Sequence, residues 1–387
     1  MNLVLSSKDL VENFKEMKMN LLSSKDLLKK IKENNISKTD TAGASGHYSI
    51  YCSKEPKDEF SKTIRGVIFG NDEILIHRGL PYSEDVDVTD EERIAHLLSE
   101  KYRACVSHEG TVLKMIYFGG QWNMTTHRRL DATTSRWGNA KTFGVIFKEA
   151  LLNFFPSYDD FLKALDVKKH YHFLLKSTEE TRIVVHPDPS EPFVLTAISD
   201  ADTFDILPLE ELGGVPLAKT LSFENVSDVV DFVSECDPFH SQGLIFFSKD
   251  MMQSFRITNT EYMKYSAVRN NIASLDLCYA YNRLKEEKAL FEKLYPRAIA
   301  RGEAFEEKLF AIARQLHTTY IARHVHKRQF RVSRQRHAVL TAIHSFFLTT
   351  AKPQGRGVYF DDVVRVLNAQ NPLDLYHLVK GLDVVSL

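Results

Sequence analysis

The spacing of apolar positions changes character twice along the chain, and each change marks a region. At the start, "NLVLSSKDLVENFKEMK" is followed by "NLLSSKDLLKKIKENN", with Ser6-Ser7-Lys8-Asp9-Leu10 recurring as Ser23-Ser24-Lys25-Asp26-Leu27. Leucines recur there at helical spacing in polar surroundings, and each Ser-Ser pair stands where a helix N-cap belongs. The pattern predicts two helices or one broken helix, closed by the linker "TAGASG". Two copies are too few for a solenoid.

From Tyr48 to about Val268 the runs shorten and alternate. "TIRGVIF", "EILIHRG", "GTVLKMIYF", "QWNMTTH", "HYHFLLKS", "RIVVH", "FVLTAIS" and "GLIFFS" are bounded by Gly, Asp, Asn and Pro and predict strands. "GGQW" between two of them predicts a hairpin turn, because glycine reaches positive φ at little cost. "DEERIAHLLSEKY", "GVIFKEALLNF", "YDDFLKALDV" and "SDVVDFVSEC" predict helices among the strands. After Asn271 the period becomes helical throughout, with "KPQGRG" as a loop. The expected fold is therefore α+β: a helical arm and linker over residues 1–46, a core of antiparallel sheets over 47–270, and an all-helical domain over 271–387.

Composition adds limits to that picture. The chain has 387 residues, 43% hydrophobic and 26% charged, with a formal net charge of −1. Affinity for nucleic acid must then come from local patches. Four separated cysteines, Cys52, Cys105, Cys236 and Cys278, show no C-x-x-C spacing, so neither a zinc site nor a disulfide framework is expected. No transmembrane-length apolar run occurs, and the expectation is an intracellular protein without membrane insertion.

The chemistry turns on "CVSHEGTVLKMIYF", residues 105–118. With "RGVIFGNDEILIHRGLPY" before it and "HYHFLLKSTEETRIVV", "SQGLIFF" and "SFRITNTEYMKY" after it, this stretch resembles the covalent nucleotidyltransferases. Within them it is most similar to the RNA ligases of bacteriophage type and their relatives in large DNA viruses. Five segments in order, over about residues 48–270, carry the resemblance. It implies an ATP-grasp-like ligase core. A lysine amine there captures a nucleotide from ATP, carboxylates hold ribose and Mg, and a closing pair of lysines stabilises the transferring phosphoryl group.

Set against that pattern, the chain departs at nearly every demanding position. The nucleophile position matches Ser107, the carboxylate of the third motif matches Leu174, that of the fourth matches Gln242, and the closing lysines match Arg256 and Thr258. Glu109, Gly110 and Arg256 remain in kind. The expectation is a degenerate site and a catalytically inactive, ligase-like protein that binds nucleic acid or serves structurally. A serine would need a base in reach, and on an extended segment Ser107 sits on the side of Glu109, with His108 opposite. The alternative is an active ATP-dependent RNA ligase, using ATP and Mg, with its nucleophile relocated to Lys114. That lysine alternates with Val112, Ile116 and Phe118, and burial would lower its pKa. Lys114 and Arg256 are the expected nucleotide-binding cations.

Two basic patches are candidates for RNA or single-stranded nucleic acid. "TTHRRLDATTSRW" gathers His127, Arg128, Arg129 and Arg136 near Trp122 and Trp137, as a phosphate backbone with stacked bases requires. "IARHVHKRQFRVSRQRH" supplies Lys327, Arg328, Arg331 and Arg334. The blander readings are a solvated strand edge and a charged loop. Of the acids between Glu84 and Glu92, which could otherwise coordinate Mg, Asp90, Glu91 and Glu92 are expected to serve a helix N-terminus instead, and no metal site is expected. By resemblance the source is a large DNA virus, with virion subunits as further partners and the host cytoplasm or virion as location.

Overall fold

The structure is a computed structural model that describes residues 22–42, 47–138, 141–329 and 331–381. Its contacts divide the chain into two compact units, meeting between Lys264 and Tyr265. The first unit is α+β and the second is helical.

The first unit opens with α1 (Ser24–Glu33), whose N-cap Ser23 accepts the amide of Asp26. Leu27, Leu28 and Ile31 fall on one face of α1 and pack on Tyr51, Val67 and Phe69. Those partners belong to an antiparallel sheet of β1 (Lys38–Ala42), β2 (Tyr48–Cys52), β3 (Arg65–Phe69) and β4 (Leu75–His77), with the short α2 (Glu59–Thr63) between β2 and β3. The second copy of the serine-leucine repeat is thus a docked sheet-covering helix; the first copy, Ser6 to Leu10, lies outside the described residues.

A second sheet has the order β11-β10-β9-β7-β8 and is antiparallel throughout. It comprises β7 (Gly110–Phe118), β8 (Gln121–Thr125), β9 (Lys169–Lys176), β10 (Phe193–Asp200) and β11 (Ile206–Leu207). The β7–β8 turn is the expected one, with Gly119 and Gly120 at φ +63° and +77°, the double positive φ of a type I′ hairpin. One face packs on α4 (Phe143–Leu151) and α5 (Tyr158–Ala164), through Phe147, Phe161, Phe173 and Phe193.

The third sheet has the order β12-β6-β13-β14-β5. Its strands are β5 (Ser83–Val86), β6 (Arg103–Ser107), β12 (Thr220–Leu221), β13 (Gly243–Phe247) and β14 (Ser254–Thr258). All pairings are antiparallel except β5 with β14. Leu244, Phe246 and Ile257 bury one face against Ile94 and Leu97 of α3 (Glu91–Ser99) and Val229 and Val233 of α6 (Val226–Glu235). The acids ahead of α3 act as expected: Asp90 caps the helix by accepting the amide of Arg93, and Glu91 and Glu92 occupy its first turn.

One predicted strand is absent. "RIVVH" is an irregular turn, because the amides of Ile183, Val184 and Val185 all point to one carboxylate, that of Glu109. Consecutive amides of a strand alternate in direction and cannot do this.

The second unit continues from α7 (Thr260–Arg269), which spans the division, through α8 (Leu275–Asn282), α9 (Glu287–Leu294), α10 (Ile299–His324), α11 (Arg334–Phe346), α12 (Phe360–Asn368) and α13 (Pro372–Lys380). Phe291, Ile312, Leu316, Ile343, Val363 and Leu367 are buried in it. Among the described residues no helix is long and apolar enough to cross a membrane.

Candidate functional site

β6 ends at Ser107 in the third sheet and β7 begins at Gly110 in the second, so the chain crosses between sheets at His108 and Glu109. This crossing is the stretch that resembles the nucleophile loop. Register then organises the other motif positions. Gly243 pairs with Ser107 on one side and with Thr258 on the other, so the three lie in one row across β6, β13 and β14. Two residues along, Ile245 joins Cys105 to Arg256. In the second sheet Val112 pairs with Leu174 and Lys114 with His172.

Every motif position at the crossing is committed to a neighbour. The Ser107 hydroxyl donates to Gln242 Oε1 at 3.0 Å, and Gln242 Nε2 donates to the Tyr262 hydroxyl at 2.7 Å. Burial, with Glu109 next in size, raises the Tyr262 pKa well above its usual range, so this phenol is no base. Glu109 is 4% exposed and accepts amides from Ile183 (2.6 Å), Val184 (2.6 Å) and Val185 (3.0 Å). Ser107 therefore faces a carboxamide, and the carboxylate expected on its side holds a loop instead. Leu174 is half-buried and lies against Gly110, where an added Cβ would stand 3.0 Å from its Cδ1. Arg256 donates through Nε and Nη2 to Asp85 Oδ1 at 2.9 and 2.8 Å, which adds Asp85 to the site.

Lys114 faces away from the aromatic core. It is 2% exposed and donates to the carbonyl of Gly66 at 3.0 Å. Gly66 has φ +83°, and a Cβ there would stand 2.6 Å from Lys114 Nζ and 2.9 Å from His127 Cα, so only glycine admits this approach. Burial, then the charge of Arg65, lowers the Lys114 pKa to about 7. Around it are cations and imidazoles. Arg65 stacks over Tyr82 at 5.0 Å, donates to the Pro81 carbonyl at 3.3 Å, and feels the charges of Arg128 and Arg256. His127 is held to about 3 by burial and by Arg65, Lys114 and Arg128. Among the described residues Arg65 Nε, His127 Nδ1 and Thr125 Oγ1 are buried without a hydrogen-bond partner. Thr125 is the cross-strand neighbour of Lys114.

A histidine trio backs this cluster. His77 of β4 and His170 of β9 share a contact between Nδ1 atoms at 3.1 Å, and the His77 and His172 rings lie 5.2 Å apart. Burial is the largest cause lowering all three pKa values, with Lys114 next, and His170 reaches about 4.

The structure therefore brings Lys114, His127, Arg128 and Arg256 into one electrostatic neighbourhood and adds Arg65. The signal for Arg65 was its place beside Gly66 in "TIRGVIF"; the packing that buries it is non-local. Arg129 instead pairs with Asp40 at 3.4 Å, and Arg136 is exposed beyond the 132–134 turn. Trp122 is half-buried at the rim of the aromatic core, its ring steeply inclined to those of Tyr117 and Tyr171. Lys327, Arg328, Arg331 and Arg334 are exposed on the helical unit.

The donors fit the groups implied by resemblance unequally. Among the described residues no three His, Cys, Asp or Glu side chains gather to hold a metal ion. Leu174 and Gln242 supply no carboxylate at the two positions where the resemblance implies one. The cations are concentrated instead around Lys114: Arg65 keeps an unused donor nitrogen there, and the charge of Arg128 acts on Arg65.

The chain is similar to two iridescent-virus proteins. It is 28% identical over 362 residues to the immediate-early protein ICP-46 homolog of Invertebrate iridescent virus 6, covering 86% of this chain and 79% of the relative. It is 27% identical over 208 residues to the homolog from Invertebrate iridescent virus 3, covering 52% and 45%. No family model matches. Among solved structures, an archaeal ATP-dependent RNA ligase is similar with a TM-score of 0.45 and 12% identity, over 74% of this chain and 79% of that one. A Naegleria gruberi RNA ligase follows at 0.34 and 13%, over 48% and 57%.

Proposed function

We propose that this chain is a ligase-like protein without nucleotidyl-transfer activity, which holds a phosphate-bearing ligand, RNA or single-stranded nucleic acid, against the cations around Lys114. The carrying observation is the closed bonding at the crossing. Ser107 gives its proton to Gln242, and Glu109 accepts three backbone amides, so no free amine or carboxylate stands there. Phosphate binding needs no nucleophile. It needs donors and positive charge in a site of lowered dielectric, which Arg65, Lys114 and Arg128 supply. Likeness to a viral immediate-early protein agrees with a virus source, and action in an infected cell or virion belongs to this reading.

A second reading rests on Lys114 itself. An amine held at about 7 has an appreciable neutral fraction at neutral pH, as a relocated nucleophile requires. Incubation of the full chain with α-labelled ATP or GTP and Mg decides between the two. We expect no acid-labile label on the protein. A label that survives Ser107→Ala and disappears in Lys114→Met would establish the relocated ligase instead. In the same preparation, Arg65→Ala with Arg128→Ala should weaken oligoribonucleotide binding at least tenfold; unchanged binding would remove the cluster from the ligand site.

A further inference from the structure

Between Glu307 and Asp361 the sequence contains no Asp or Glu, yet residues 308–360 hold ten Lys and Arg and five His. The chain as a whole carries 50 basic and 51 acidic residues, so everything outside this stretch is 40 − 51 = −11. An overall charge near zero thus conceals an acid-free segment that begins about a third of the way along α10 and runs through α11 to the start of α12.

The same segment carries rings along one seam. Phe310, Arg314, His317, Ile321 and His324 follow each other on α10 at intervals of three and four, so they form one stripe about 21 Å long. Phe310 is 46% exposed, with Arg314 over its ring at 4.8 Å and Phe360 edge-on at 5.1 Å. At the far end His324 lies between Tyr320 at 4.5 Å and His344 at 4.3 Å, nearly parallel to both. Phe347 continues the ladder beyond His344 at 6.0 Å. Past this end come the exposed Lys327, Arg328, Arg331 and Arg334.

We propose that this seam of α10, with the basic turn that follows it, binds single-stranded nucleic acid: cations take the backbone and the exposed Phe310 ring takes an unstacked base. Charge selects a polyanion: the segment contains no carboxylate, and although Arg356 pairs with Asp362 just beyond it, Lys327, Arg328, Arg331 and Arg334 stay exposed. The exposed ring selects a single strand, since bases in a duplex offer no free face. The inference shares only the partner class with the function proposed above; the residues are different and belong to the other compact unit.

Fluorescence anisotropy of the full-length protein with a labelled oligouridylate of about 16 nucleotides, the upper range of single-strand sites, tests it. Replacing Arg328, Arg331 and Arg334 by Ala should weaken binding more than tenfold and flatten the slope of log Kd against log salt by about 2, at roughly 0.7 per lost phosphate contact. Phe310→Ala, at an exposed ring, should weaken binding about tenfold with the salt slope unchanged. Each variant is measured against Arg65→Ala with Arg128→Ala, so loss confined to that pair would overturn this seam while leaving the first site standing. Equal affinity for a duplex of the same length, or binding of a polyglutamate peptide in its place, would also overturn it.

Discussion

Glu109 shows how much one side chain can fix. Its two oxygens gather three amides of residues 183–185, which would otherwise be buried donors without acceptors. Glu109→Ala should destabilise the chain by about 3 kcal/mol or more, read from urea unfolding at neutral pH. Glu109→Gln should be nearly as damaging, because an amide nitrogen would face donors. At Ser107 the neighbouring chemistry matters more than the residue itself. Ser107→Lys should restore an amine without restoring capture of a nucleotide, since Gln242 and Leu174 still lack carboxylates. Intact-mass measurement after incubation with ATP and Mg would detect any adduct. The motif order assigned Ser107, Gln242 and Thr258 to one site before any coordinates; the strand register sets Ser107 and Thr258 in one row through Gly243, and Gln242 reaches Ser107 by a hydrogen bond. What the sequence could not show is that Glu109 serves residues 183–185, since the bond spans more than seventy positions and leaves no local pattern.

At the scale of elements, β4, β7 and β9 together bury four basic groups with no acid among them. His77 comes from β4, Lys114 from β7, and His170 and His172 from β9. Asp200 acts on His170 from β10, and Arg65 acts on Lys114 from β3. All four pKa values are lowered on folding, so the unfolded chain binds more protons than the folded one and stability rises with pH. For the histidines the loss begins as pH falls below their ordinary 6.5 and continues to about 4 for His170. For Lys114 the gain runs upward from about 7 to 10.5. Thermal unfolding followed from pH 4 to 10 should show both slopes, and Lys114→Met should remove the upper one. The strand predicted for "HYHFLLKS" necessarily puts His170 and His172 on one face; their meeting with His77 depends on how the first sheet packs on the second, which no local period encodes.

The whole chain has two compact units of unlike composition, and the shift to a helical period after Asn271 lies close to their meeting point at Lys264 and Tyr265. The α+β architecture was legible because strand length and turn residues are local properties. The parallel pairing of β5 with β14 was not, since it joins segments about 170 residues apart. An isoelectric point near 7.0 would ordinarily forecast indifference to ion-exchange media. Segregated sign forecasts the reverse: the acid-free stretch should retain the protein on a cation exchanger, and the remainder, at −11, on an anion exchanger. Dilution into low ionic strength should then drive copies together basic half to acidic half, a turbidity that modest salt dissolves.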